Sequence, residues 1–177
     1  MISDFVKGKK KFDYPVGIQK GITLHRSIDS FTDSHPVSKM AKEIFRPAYR
    51  LYSAAFIDVV YDHFLANDEN EFTPASLIAF SETTYGILDK YLEWLPERFA
   101  KMFPYMKSQN WLANYRHRLG TERSFEGVVR RSAYLTESKT AGYLFEQHYA
   151  ELSQCYRAFF PDLKFFSHNL YSGIRQL

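Results

Sequence analysis

Residues 48–66 are apolar on nearly every face of a helix, and a helix of that kind is stable only when other helices surround it. It must therefore lie at the centre of a packed bundle. Within it Asp58 and Asp62, four residues apart, share a face with Leu51, Ala55 and Leu65, whereas His63 points about 100° away from Asp62. Two carboxylates at that spacing repel each other unless something positive lies between them. An unpaired charge in an apolar interior is costly, so these acids call for a cationic partner or an ion.

A second stretch carries the same chemistry. Pro15 suits the first turn of a helix that runs to about Asp33. His25 and Asp29 sit at i and i+4 on the inward face, in line with Ile18 and Ile22, while Arg26 falls on the opposite side and stands at the rim. That spacing lets two side chains bond to each other or grip one ion. Taken alone, the pair reads equally as a buried His–Asp hydrogen bond. Adding Asp58, Asp62 and His63 on the central helix gathers carboxylates and imidazoles in one core, and such donors without cysteine suit Mn, Fe, Mg or Zn in a hydrolytic centre. Asp33 and His35 flank a helix end and read as capping residues. His117 belongs to a solvated basic face, and Trp94 and Trp111 read as core.

The remaining pattern is helical too. Helices are expected over about 34–46, with Pro47 interrupting, and over 73–91, where Thr73-Pro74 supplies an N-cap and a first-turn proline. Shorter pieces follow at Pro96 and Pro104, then 109–119 and 123–135 joined at Gly120, with Ser124 as a cap. The last pattern, 139–160, stops at Pro161. A single all-α domain over 1–161 results, a helical bundle, with 162–177 as a tail of unassigned structure. At 177 residues and 45% apolar content the chain can bury one substantial core, which its 16 Phe and 13 Tyr make strongly aromatic. With 8 Gly and 7 Pro it lacks the turns of a β-sandwich.

A net charge of +3 is too mild to imply nucleic acid, but Lys7, Lys9, Lys10 and Lys11 make a local positive patch suited to an acidic partner or a phosphate-bearing substrate. Cys155 is the only cysteine, so no internal disulfide forms and a cytoplasmic setting is the default. No apolar run is long enough to span a bilayer. Met1–Gly8 reads as the end of a helix closed by Gly8, as if the first helix were cut short. No glycine-rich phosphate loop, nucleophile elbow or His-Glu-x-x-His is present. Nothing assigns an oligomeric state.

Three runs, Asp4-Phe5-Val6-Lys7-Gly8, Gly21-Ile22-x-Leu24-His25-Arg26-x-Ile28-Asp29-x-x-Thr32-Asp33 and Asp58-Val59-x-x-Asp62-His63-Phe64-Leu65, resemble the acyl carrier protein phosphodiesterases. Gln109-Asn110-Trp111-Leu112-x-x-Tyr115-Arg116 is similar as well. The resemblance implies an HD-domain-like helical hydrolase that uses a divalent metal, Mn²⁺ before Mg²⁺ or Fe²⁺, to remove 4′-phosphopantetheine from holo acyl carrier protein. It implies Asp4, His25, Asp29, Asp62 and His63 as metal ligands, with Asp62 and His63 also catalytic. Arg26 would hold the phosphate, and Lys7, Lys9, Lys10 and Lys11 would dock the acidic carrier. It also implies a histidine-bearing helix ahead of Asp4, outside this sequence. The competing readings are a phosphohydrolase of nucleotides or other small phosphoesters, and a non-catalytic helical binding protein.

Overall fold

A computed structural model describes residues 2–176. The described chain is helical: α1 (Val16–Ser34), α2 (Pro36–Tyr49), α3 (Ser53–Ala66), α4 (Pro74–Lys90), α5 (Glu97–Ser108), α6 (Trp111–Asn114), α7 (Arg118–Arg131), α8 (Lys139–Gln147) and α9 (Tyr149–Gln176). Short 3-10 turns precede α1, at Ser3–Phe5 and Gly8–Asp13. No strand occurs among the described residues, in keeping with the all-α expectation.

α3 is the central helix, packed against α2, α7 and α9. It buries Phe56, Ile57, Val59, Val60, Tyr61, His63 and Phe64. Rings from the neighbouring helices close over it: Tyr49 lies 4.1 Å from Phe56, Phe45 and Phe56 stack at 5.8 Å, and Tyr61 stacks on Phe159 at 5.0 Å. Each such ring taken out of water contributes about 1.5–3 kcal/mol, so this aromatic cluster is the main source of stability. A Tyr hydroxyl in the core needs a partner, and Tyr49 has two: it accepts from the Ala141 N–H at 2.8 Å and donates to Glu137 at 3.2 Å. That ties the start of α8 to the end of α2.

A smaller cluster of Tyr85, Phe99, Phe103 and Met106 joins α4 to α5, with Ile2, Phe5 and Trp111 packed on it. The start of α4 follows its sequence signal, since Thr73 and Ser76 form a reciprocal capping box. His35 caps α2 by accepting from the Val37 N–H.

Several boundaries differ from the sequence reading, each for a packing reason. The central helix begins at Ser53 because the chain turns at Arg50, whose φ of 48° is unusual for a residue with a side chain. Gly8 does take a left-handed φ of 54°, but it opens the turn Gly8–Asp13 instead of closing a helix. Pro104 lies inside α5, which is one helix. α9 likewise runs through Pro161 to Gln176. A mid-helix proline forfeits a backbone bond, yet both flanks of Pro161 are pinned. Tyr156 donates to Asp68, Asp162 meets His35 at 3.3 Å, and Phe166 stacks on Phe31 at 4.4 Å. The segment read as a tail is thus part of the bundle.

Gly120 lies within α7, and Ser124 is one turn further along, donating to the Gly120 carbonyl, so it is not a cap. Gly120 is instead the point where α6 and α7 touch. A Cβ there would stand 1.9 Å from the Asn114 backbone oxygen. Gly120→Ala is therefore expected to cost about 1–3 kcal/mol, as overpacking does, read as a lower denaturant midpoint. Adding Asn114→Ala should not recover it, because the obstacle is backbone.

Candidate metal centre

Asp4, His25 and Asp29 present ligand atoms that all lie within 4.8 Å of one another. The His25–Asp29 pair follows from the helix itself, Nδ1 to Oδ2 at 2.9 Å across one turn of α1. The pair does not face the core as the sequence suggested. Its side chains are 33% and 51% exposed, so they line an open cleft.

Asp4 reaches the pair because its turn is anchored on three sides. Ser3 and Val6 are buried, and the Phe5 ring meets Phe99 edge-on at 5.5 Å. Arg26 donates to the backbone carbonyls of Val6 and Gly8, holding the turn onto α1 from the far side. This departs from the expected role of Arg26 as a phosphate clamp, since its guanidinium is engaged in positioning the Asp4 segment. Two carboxylates and an imidazole are the hard, thiol-free donors that Mn²⁺, Mg²⁺ or Fe²⁺ take, so this trio fits such an ion.

Asp58 and Asp62 lie on the exposed stripe of α3, near enough to α1 for the charges of Asp29 and His25 to act on them. Asp58 is pushed up to about 7 by burial, then by the charges of Asp62, Asp29 and Asp33, with Lys42 opposing. Lys42 itself is buried and bound to Asp33 at 2.6 Å. Asp62 is also pushed up to about 7 by burial, against the pull of the Tyr115 hydroxyl and of His25. Among the described residues the cluster of ligand atoms comprises Asp4, His25 and Asp29 and includes neither Asp62, expected as a ligand, nor Asp58. Tyr115 is the residue that sequence reasoning passed over; its only signal was its place in the Gln109–Arg116 run.

His63 is not part of the cleft. It is 2% exposed, with Nδ1 2.8 Å from the Tyr115 carbonyl and Nε2 2.9 Å from the Tyr149 hydroxyl. A carbonyl can only accept, so Nδ1 carries the proton and Nε2 accepts from Tyr149. Neither nitrogen has a lone pair to offer a metal, and burial holds its pKa below the usual imidazole value. The 100° offset from Asp62 already separated the two side chains, and the aromatic core took the histidine. His63 meets Tyr115 at its carbonyl, while the hydroxyl of the same tyrosine opposes the rise in the Asp62 pKa. His63 therefore positions Tyr115.

The lysines follow directly after the Asp4 turn. Lys7, Lys9 and Lys10 are exposed; Lys11 is half-buried, donating to Thr23 at 3.4 Å and lying 5.1 Å over the exposed Phe12 ring. A cationic apron with one aromatic ring thus borders the cleft. No described helix is long and apolar enough to cross a membrane.

Comparison with known proteins agrees with the motif reading. The acyl carrier protein phosphodiesterase family profile matches residues 1–163. Acyl carrier protein phosphodiesterases of Photorhabdus laumondii, Yersinia pestis and Enterobacter sp. are 30%, 31% and 32% identical over 91%, 92% and 91% of this chain. The matches cover 82%, 85% and 84% of those relatives. No solved structure matches. The chain, a hydrolase by this kinship, belongs to the acyl carrier protein phosphodiesterase family.

Proposed function

We propose that this protein is a metal-dependent phosphodiester hydrolase that releases 4′-phosphopantetheine from holo acyl carrier protein, leaving the apo carrier. The observation that carries the reading is the convergence of Asp4, His25 and Asp29 at an open cleft, in a chain of this family. An exposed centre suits a phosphodiester presented on the surface of a second protein. A small phosphoester would gain more from an enclosed pocket.

Asp4, His25 and Asp29 would hold the ion, Mn²⁺ in first place, which when bound supplies Lewis acidity toward phosphate oxygens and a lowered pKa for water. The protein's own groups do the rest. Asp62, held near neutrality, accepts a proton as a water oxygen forms its bond to phosphorus. The bond from phosphorus to the carrier serine oxygen breaks, and that oxygen regains a proton to become the hydroxyl. Tyr115 keeps the Asp62 carboxylate oriented through its hydroxyl. Lys7, Lys9 and Lys10 attract the acidic carrier by charge, which speeds encounter more than it deepens affinity.

Incubated with holo carrier and Mn²⁺, the protein is expected to lower the carrier's mass by one phosphopantetheine group. His25→Ala should reduce that rate by about 100-fold or more. An unchanged carrier alongside hydrolysed nucleotides would instead establish the small-phosphoester reading. The Asp58 and Asp62 carboxyls are pushed up from the ordinary carboxylate range, and deprotonation near the ion favours a cation, so Mn²⁺ affinity should rise with pH. Asp62→Asn should flatten that rise in a titration followed by calorimetry.

A further inference from the structure

Between α1 and the end of α4 runs an apolar groove of about 570 Å³. One side of it is a row of α1, Gly17, Gly21 and His25, four residues apart and so on one face, with Ile18 and Ile22 beside them. The other side is made by Ile87, in the last turn of α4, and by Tyr91 and Trp94 just after it. His25 belongs to the groove and to the metal centre alike, and Ser3, the neighbour of Asp4, lines the groove as well. The groove is therefore continuous with the centre.

The two glycines have no packing reason to be glycine. A Cβ at either would meet nothing within 4 Å, and glycine weakens a helix interior. What their bareness provides is room along α1. Across that room Ile87 and Tyr91 remain exposed, an apolar surface whose contact with water is unfavourable. Polar atoms are few. The Thr84 hydroxyl, which donates to the Phe80 carbonyl at 2.8 Å, keeps lone pairs able to accept from an amide.

Length and direction select the occupant. From His25 to Pro15, at the other end of the lining, α1 rises about 15 Å at roughly 1.5 Å per residue. A pantetheine chain from phosphate to thiol is about thirteen bonds long, and it reaches about 15 Å at the roughly 3.5 Å that three bonds of extended backbone span. Its methyl and methylene groups match the apolar sides. The lysine-bearing turn Gly8–Asp13 meets a different side of α1, where Lys11 donates to Thr23 and Arg26 donates to the Gly8 carbonyl. A phosphodiester held at His25 thus has its protein side toward the lysines and its arm along the glycines.

We infer that the α1–α4 groove holds the pantetheine arm of the substrate while the phosphate rests at the Asp4–His25–Asp29 centre. The inference rests on the hydrolase reading for its ligand and adds Gly17, Gly21 and Ile87 as residues that accommodate the arm.

Of the two tryptophans, Trp94 lines the groove and Trp111 does not, so Trp111→Phe protein carries one indole that reports on it. With Mn²⁺ in the buffer, free 4′-phosphopantetheine should change that fluorescence saturably and bind about tenfold or more tighter than inorganic phosphate. Gly21→Leu fills the groove and should remove most of that advantage, leaving Mn²⁺ affinity unchanged; with holo carrier it should raise KM about tenfold. Ile87→Gln, on the opposite side, should act in the same direction. Leucine and glutamine are good helix formers and both positions are exposed, so the fold should persist, which circular dichroism checks. Three results would overturn the inference: no signal from Trp94, inorganic phosphate binding as tightly as phosphopantetheine, or affinity indifferent to both substitutions. Release of phosphopantetheine from holo carrier with KM unmoved by Gly21→Leu would remove the groove but leave the hydrolase reading intact. A carrier untouched by the parent protein, with free phosphopantetheine still sensed by Trp94 and lost in Gly21→Leu, would retain the groove and remove the hydrolase reading.

Discussion

Burial of Phe56, Ile57, Val60 and Phe64 on three sides of α3 leaves one stripe of that helix wet, and Asp58 and Asp62 occupy it. Helical geometry permits no other place for them once the aromatic core has formed. α1 packs on α2 and α9, and its His25 and Asp29 side chains are likewise open to water. The polar centre is therefore a consequence of the core. The acids accumulate there because the apolar faces are spent elsewhere.

Adjacent residues then acquire opposite roles. Asp62 looks into the cleft while His63 disappears among Phe64, Phe145 and Tyr149. The histidine's Nδ1 holds Tyr115 by its backbone carbonyl and its Nε2 accepts from Tyr149, while the hydroxyl of Tyr115 pulls the pKa of Asp62 down. The core thereby sets the orientation of a cleft group through one buried ring. Arg26 plays the comparable part on the other side, where its bonds to Val6 and Gly8 keep Asp4 within reach of α1. Both residues act at one remove from the centre.

Much of this was legible in the sequence, and what was legible is local. Apolar periodicity gave away α1 and α3, and Thr73-Pro74 gave away the start of α4. The i, i+4 spacing of His25 and Asp29 is a property of one helix turn. What could not be read depends on contacts made far along the chain. Pro161 looked like a stop because the pins on either side of it, Asp68, His35 and Phe31, lie about a hundred residues earlier in sequence. Gly120 looked like a joint because its reason for being glycine is the carbonyl of Asn114 across the α6–α7 contact. Arg26 looked free because its acceptors are backbone atoms, which carry no mark in a sequence.

The central claim is that one imidazole, that of His25, stands in a centre with Asp4 and Asp29, and that His63 takes no part. Pulsed electron paramagnetic resonance on Mn²⁺-loaded protein reads nitrogen nuclei bonded directly to the ion. The account predicts modulation from a single imidazole nitrogen, lost in His25→Ala. A nitrogen signal that survives His25→Ala, or wild-type protein that takes up no Mn²⁺, would contradict it.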